Sequence, residues 1–233
     1  PFVALNEAED CEAPLARAAV GDRVFTYAAL RTDGHCPEDE AFELVYRLGK
    51  RYSEDYLPAA AALREAVVRP FDNIYHAMHL EGGAVLLADT ARDDGRPVPF
   101  FRAFIRDQVK EAYWPLAALS YAELIKLLHL TGMVCQGRNF HTPSETDMEE
   151  LDRYRQDVLN FRLNYRFNQV SRIGQHNDCH AAWRSAFGCE ALLQDVVQDV
   201  SEVASFLDYR LAKERAAREA ARRMSCSNNF KQV

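Results

Sequence analysis

Nowhere in its 233 residues does an apolar run approach the roughly 18–20 residues that carry a helix across a bilayer. The stretch from Pro1 to Glu12 is acidic where a secretory signal would be basic and then apolar, so a soluble, cytoplasmic chain without a targeting segment is expected. Cysteine is sparse. Cys11, Cys36, Cys135, Cys179, Cys189 and Cys226 are scattered too thinly for a disulfide-stapled domain, and free thiols in a reducing compartment are expected. The chain also lacks a Cys-x-x-Cys pair, a His-Glu-x-x-His helix, a Gly-x-Ser-x-Gly elbow and a phosphate-binding glycine loop. The common signatures of zinc ribbons, zinc proteases, serine hydrolases and nucleotide enzymes are thereby absent. Positive charge is in deficit, with 28 Lys and Arg against 35 Asp and Glu and a net charge of -7. A whole-molecule polyanion binder is not expected, and nucleic acid contact is left only to a local basic patch such as the C-terminal basic helix.

What is present is core-forming residue in quantity. Apolar side chains make up 48% and charged ones 27%, far from the composition of a disordered chain. The dominant period is helical. Pro37 ahead of Glu38, Asp39 and Glu40 reads as a helix start, and Phe42, Val45, Gly49, Tyr52 and Tyr56 then recur at spacings of three and four. Pro58 restarts the chain into an alanine-rich helix ending before Pro70, and the next segment, with His76 and His79, meets Gly82-Gly83. Ala84 to Ala88 fits either a continued helix or a short buried strand. Asp89 to Pro99 is a loop. Phe101, Ile105, Val109 and Ala112 form another stripe, Leu116 to Leu130 is the most apolar helix, and Ser144 three residues before Asp147 forms a capping-box pattern. Leu151, Tyr154, Val158, Phe161 and Tyr165 follow it as a further stripe.

The last element, Glu190 to about Met224, is longer than a compact domain needs, so part of it should project. Cys189, Leu193, Val196, Val200, Val203 and Leu207 alternate three and four apart like a short coiled-coil seam. Acids precede residue 203 along it. Bases, Arg210 and Arg218 among them, dominate after residue 209. A solvated terminal helix, antiparallel pairing with a second copy, and docking on another partner are the alternatives.

Candidate chemistry lies in the histidines and cysteines. His176, Cys179 and His180 would share one face of a helix, and two imidazoles with a thiolate suit zinc with an open fourth position. His76 and His79, on adjacent turns of a second helix, could complete such a centre; haem or iron is the weaker alternative, through an axial histidine such as His129. Ordinary hydrogen-bonded histidines are the plainer reading of the same residues. Cys135 and His141 match no nucleophile or zinc motif. Arg153, Arg155, Arg162, Arg166 and Arg172 fit a solvated face better than an anion site.

The sequence therefore predicts an all-α fold: an irregular multi-helix bundle with a long projecting C-terminal helix and at most a minor β element near the N-terminus, around Arg23 to Ala28. Residues 1–36 form an irregular segment, 37–188 the bundle core, 189–224 the long helix and 225–233 a tail. The expected function is interaction or assembly, as a homo-oligomer or with a protein partner, through Leu193, Val196, Val200, Val203, Leu207, Arg210 and Arg218. The alternative is a helical-bundle metalloenzyme with His176, Cys179, His180, His76 and His79 at the metal.

Overall fold

The computed structural model describes residues 25–32, 36–51, 58–88, 103–134 and 144–230. Its first elements correct the all-α expectation. A four-stranded mixed sheet is present, built from β1 (Thr26–Arg31), β2 (Val67–Phe71), β3 (Ile74–His79) and β4 (Gly82–Leu87) in the spatial order β1-β4-β3-β2. The helices, in sequence order, are α1 (Glu38–Lys50), α2 (Ala60–Glu65), a π-helix (Phe104–Tyr113), α3 (Trp114–Val134), α4 (Glu145–Asn164), α5 (Gly174–Ala186) and α6 (Cys189–Phe230). The chain divides into two compact units, one running to Ile125 with Phe167–Cys189 added, the other Lys126–Arg166 with everything from Glu190.

In the first unit, β1 lies parallel to β4, and β2, β3 and β4 form an antiparallel meander. The segment expected to be a second histidine-bearing helix is β3. Every residue of β3 and β4 is buried. A strand covered on both faces loses the polar alternation that announces a half-exposed strand. The minor β element expected at Arg23 to Ala28 is β1, displaced toward the C-terminus. Pro70 sits in β2, an edge strand, where a missing N–H costs no ladder bond on the open side.

One face of the sheet packs on α1. Ala41, Phe42 and Val45 from the helix meet Val67, Tyr75, Ala77, Ala84, Leu86 and Ala88, with the Phe42 and Tyr75 rings edge-to-face at 5.3 Å. Gly49 lets the helix approach closely, since a Cβ there would lie 3.1 Å from both Ala77 Cβ and His79 Cδ2. Pro37 and three acids open α1, and Arg51 closes it in left-handed geometry at φ 58°. The opposite face of the sheet carries an aromatic layer. Trp183 of α5 stands 6.0 Å from Tyr27 and 5.6 Å from Phe25, and Trp114 stands 6.0 Å from Tyr27.

The second unit is helical. Ser144 caps α4 through a reciprocal box with Asp147, as the spacing predicts. Leu151, Tyr154, Val158 and Phe161 form the buried stripe of α4, and the Tyr154 hydroxyl donates to the Leu130 carbonyl of α3 at 2.6 Å. Among the described residues no helix is long and apolar enough to cross a membrane.

Candidate functional site

The five proposed metal ligands do not converge. A spacing of three places two residues on one face of a helix but on opposite faces of a strand, and β3 separates its histidines in that way. His76 faces the aromatic layer, its ring 5.0 Å from Tyr113. His79 faces α1, 4.9 Å from the Tyr46 ring. On α5, both nitrogens of His180 are engaged, Nδ1 with Ser120 Oγ at 2.8 Å and Nε2 with the Phe167 carbonyl at 3.1 Å. His176 Nδ1 lies 3.2 Å from Ser171 Oγ. Burial pushes the Cys179 thiol up to about 12, so it stays protonated where a nucleophile must be a thiolate. Among the described residues no group of three or more His, Cys, Asp or Glu side chains is arranged to hold a metal ion. The zinc centre does not fit this geometry, and the haem alternative fails with it because His129 is exposed on α3. Cys11, Cys135 and His141 lie outside the described residues.

The aromatic layer sets two of the candidate residues, His76 of β3 and Cys179 of α5, beside polar groups that spacing did not single out. Tyr27 of β1 and Tyr113 of the π-helix meet them there, and Gln175 Nε2 donates to the Tyr113 hydroxyl at 2.5 Å. Burial, with Cys179 and Tyr113 adding to it, holds the Tyr27 phenol far above its ordinary pKa. The Tyr27 hydroxyl, both His76 nitrogens and the Trp183 indole nitrogen are buried without a hydrogen-bond partner. These groups are all uncharged at neutral pH, and burial lowers His76 to about 4, too weak a base for proton transfer there. Beside the layer, the Arg184 Nε donates to both Glu123 oxygens, at 3.1 and 3.0 Å.

His76 makes folding sensitive to acid. The unfolded imidazole takes its proton near pH 6.5 and the folded one near 4, so in that interval the unfolded chain binds more protons. Stability present above pH 6.5 is lost as pH falls toward 4, by about 2 kcal/mol at pH 5 from this residue. Urea unfolding at pH 7.5 and pH 5 should resolve that loss, and His76→Phe should remove its share; an unchanged pH dependence in the variant would mean that the buried ring is not its source.

In the second unit the expected interaction residues divide. Leu193, Val196, Val200 and Leu207 are buried by the chain itself, Val203 and Arg210 are half-buried, and Arg218 pairs with Glu214 at 2.7 Å. The seam is therefore core, not a free contact surface, and a substitution such as Leu207→Asp would attack folding before association. A groove of about 480 Å³ runs beside it, lined by Arg162 of α4, Arg166 just past its end, and Gln194, Ser201 and Glu202 of α6. Of the arginine stripe, Arg166 is taken by Glu190 at 2.5 Å and Arg155 pairs with Asp152. Beyond Leu207 no described side chain of α6 is buried, and residues 212–224 are exposed throughout.

Another stripe emerges on α6. At 3.6 residues per turn, Phe206, Tyr209, Ala217, Ala220 and Met224 fall within about 80° of arc, roughly a third of a turn from the buried seam. Phe206 is 42% exposed, Tyr209 64% and Met224 63%. Periodicity beyond residue 207 could have found this stripe, but alanine at two of its five positions weakens the signal.

A family model described as a protein of unknown function (DUF1559) matches residues 215–233, within the charged end of α6 and beyond it. That likeness covers a short segment and assigns no chemistry. No curated protein and no solved structure matches the chain.

Proposed function

We propose that this chain is an assembly protein whose contact element is the outer face of α6. The observation that carries the reading is the stripe of Phe206, Tyr209, Ala217, Ala220 and Met224, exposed on a helix that continues well past Leu207, the last buried of its described side chains. A 42-residue helix spans roughly 63 Å, and its described side chains from residue 212 to 224 are exposed throughout. Helices gain most of their stability in proteins from packing an apolar face, and large apolar side chains in a row on a surface mark contact sites. Alanines between them permit close approach of a second helix.

Sedimentation over a range of protein concentration tests the reading. The unmodified chain should associate, and Phe206→Ser with Tyr209→Ser should shift it to monomer while its circular dichroism at low temperature stays unchanged, because neither side chain is buried in its own chain. Charge lies on the same face, so association should weaken at high salt yet persist in part through the apolar stripe. A chain that stays monomeric at the highest attainable concentration refutes the proposal.

A further inference from the structure

We infer that the partner on this face is a second copy of the chain, with the two α6 helices antiparallel and their two-fold axis at Phe206. The inference rests on the assembly reading above and adds its orientation and register. Along this face, with Asp199 and Arg210 half-buried and the others exposed, the residues change character in order. Asp195, Asp199 and Glu202 come first, Phe206 and Tyr209 follow, then Arg210 and Lys213, and last Ala217, Ala220 and Met224. All lie within the same arc of the helix, about 100° wide.

A two-fold axis pairs each residue with the one equally far on the other side of the axis. Glu202 and Arg210 are each four positions from Phe206, and Asp199 and Lys213 are each seven. Antiparallel helices crossing at Phe206 therefore set Glu202 against the second copy's Arg210 and Asp199 against its Lys213. Both pairs occur twice by symmetry, around a central contact of Phe206 with its own equivalent. A parallel pair would instead stack acid on acid and base on base, and like charges facing one another oppose association. Moving the axis by one residue breaks both matches, so the charge pattern selects a register as well as a direction.

Charge exchange on the full-length chain tests the inference. Glu202→Arg alone and Arg210→Glu alone should each weaken self-association about tenfold at low salt, because each change replaces two attractive pairs by two repulsive ones. The double variant should recover it, and a mixture of the two single variants should form heterodimers. Asp199→Lys with Lys213→Asp provides the same test at the second pair. Orientation is read separately with a nitroxide at position 224: copies crossing antiparallel at Phe206 place the two labels about 54 Å apart, whereas parallel copies place them within about 15 Å. Recovery in the double variant together with the long distance supports the inference. A monomeric unmodified chain overturns the assembly reading and this one with it. A dimer with close labels, or one in which the exchanged pair gains nothing, leaves assembly standing and overturns the antiparallel register.

Discussion

Replacing Gly83 with leucine should abolish stable folding of the sheet-containing unit. Gly83 lies in β4 on the face that receives Trp183, and a Cβ built there would lie 2.7 Å from Trp183 Cζ2, still closer to Cη2, and 2.8 Å from the Ala77 carbonyl oxygen. The indole is fully buried and the oxygen belongs to the neighbouring strand, so neither neighbour can give way cheaply. Glycine inside a strand ordinarily costs about 0.5–1 kcal/mol relative to alanine, so Gly83→Ala at an open site would stabilise. Here the sign reverses. Gly83→Ala should lose about 1–3 kcal/mol and Gly83→Leu more than that, through overpacking. Urea unfolding measures both. Pairing Gly83→Ala with Trp183→Phe should give a coupling of at least about 0.5 kcal/mol, since the two changes act on one contact. Gly174, at the first turn of α5 with nothing within 4 Å of its would-be Cβ, is the control, and Gly174→Ala should be neutral or slightly stabilising. A stable Gly83→Ala protein would mean that Trp183 does not rest on the sheet.

Removing the carboxylate of Glu123 should produce the other large loss. Glu123 is 3% exposed and Arg184 14%, and the Arg184 Nε bonds both carboxylate oxygens. Bringing two charges out of water is costly, and their attraction offsets that cost only while both remain. Glu123→Ala leaves the guanidinium buried opposite a void, and a loss of about 3–5 kcal/mol is expected at neutral pH. Arg184→Leu should do comparable damage from the other side. Joint replacement, Glu123→Leu with Arg184→Leu, should cost less than either single change, because an apolar pair of similar volume leaves no lone charge. Denaturant midpoints decide the matter. A loss below about 1 kcal/mol for Glu123→Ala would mean that water reaches the guanidinium and screens it as at a surface.

The two regions differ in how far local sequence reports them. Helix α1 is legible because its start, its acids and its apolar positions at three and four spacing all act within one turn or two. The cap of α4 is legible for the same reason: Ser144 and Asp147 satisfy each other's backbone without help from elsewhere. The length of α6 follows from strong helix formers continued past residue 211. Its buried seam is written in the spacing of Leu193, Val196, Val200 and Leu207, but spacing marks only an apolar face. Whether that face is closed by the same chain or left for another depends on what folds against it.

The sheet was not legible in that way. Ile74 to His79 and Gly82 to Leu87 contain alanine, glycine, methionine and histidine where a half-exposed strand would alternate branched and polar residues, because both of their faces are covered. The supposed metal ligands fail for a linked reason: His76 and His79 are neighbours on a helix and lie on opposite sides of a strand, and His180 is held by Ser120, sixty residues away. By itself, then, the sequence determined the helices whose caps and stripes are local, the excess of acid, and the change of charge sign along α6. Only the tertiary structure decided the strand identity of residues 74–87, the contact of Trp183 with Gly83, the burial of the α6 seam and the exposure of the Phe206 stripe. The physical reason is range: caps and helical faces are settled between residues three or four apart, whereas burial and strand pairing are settled by residues that only the completed fold brings together.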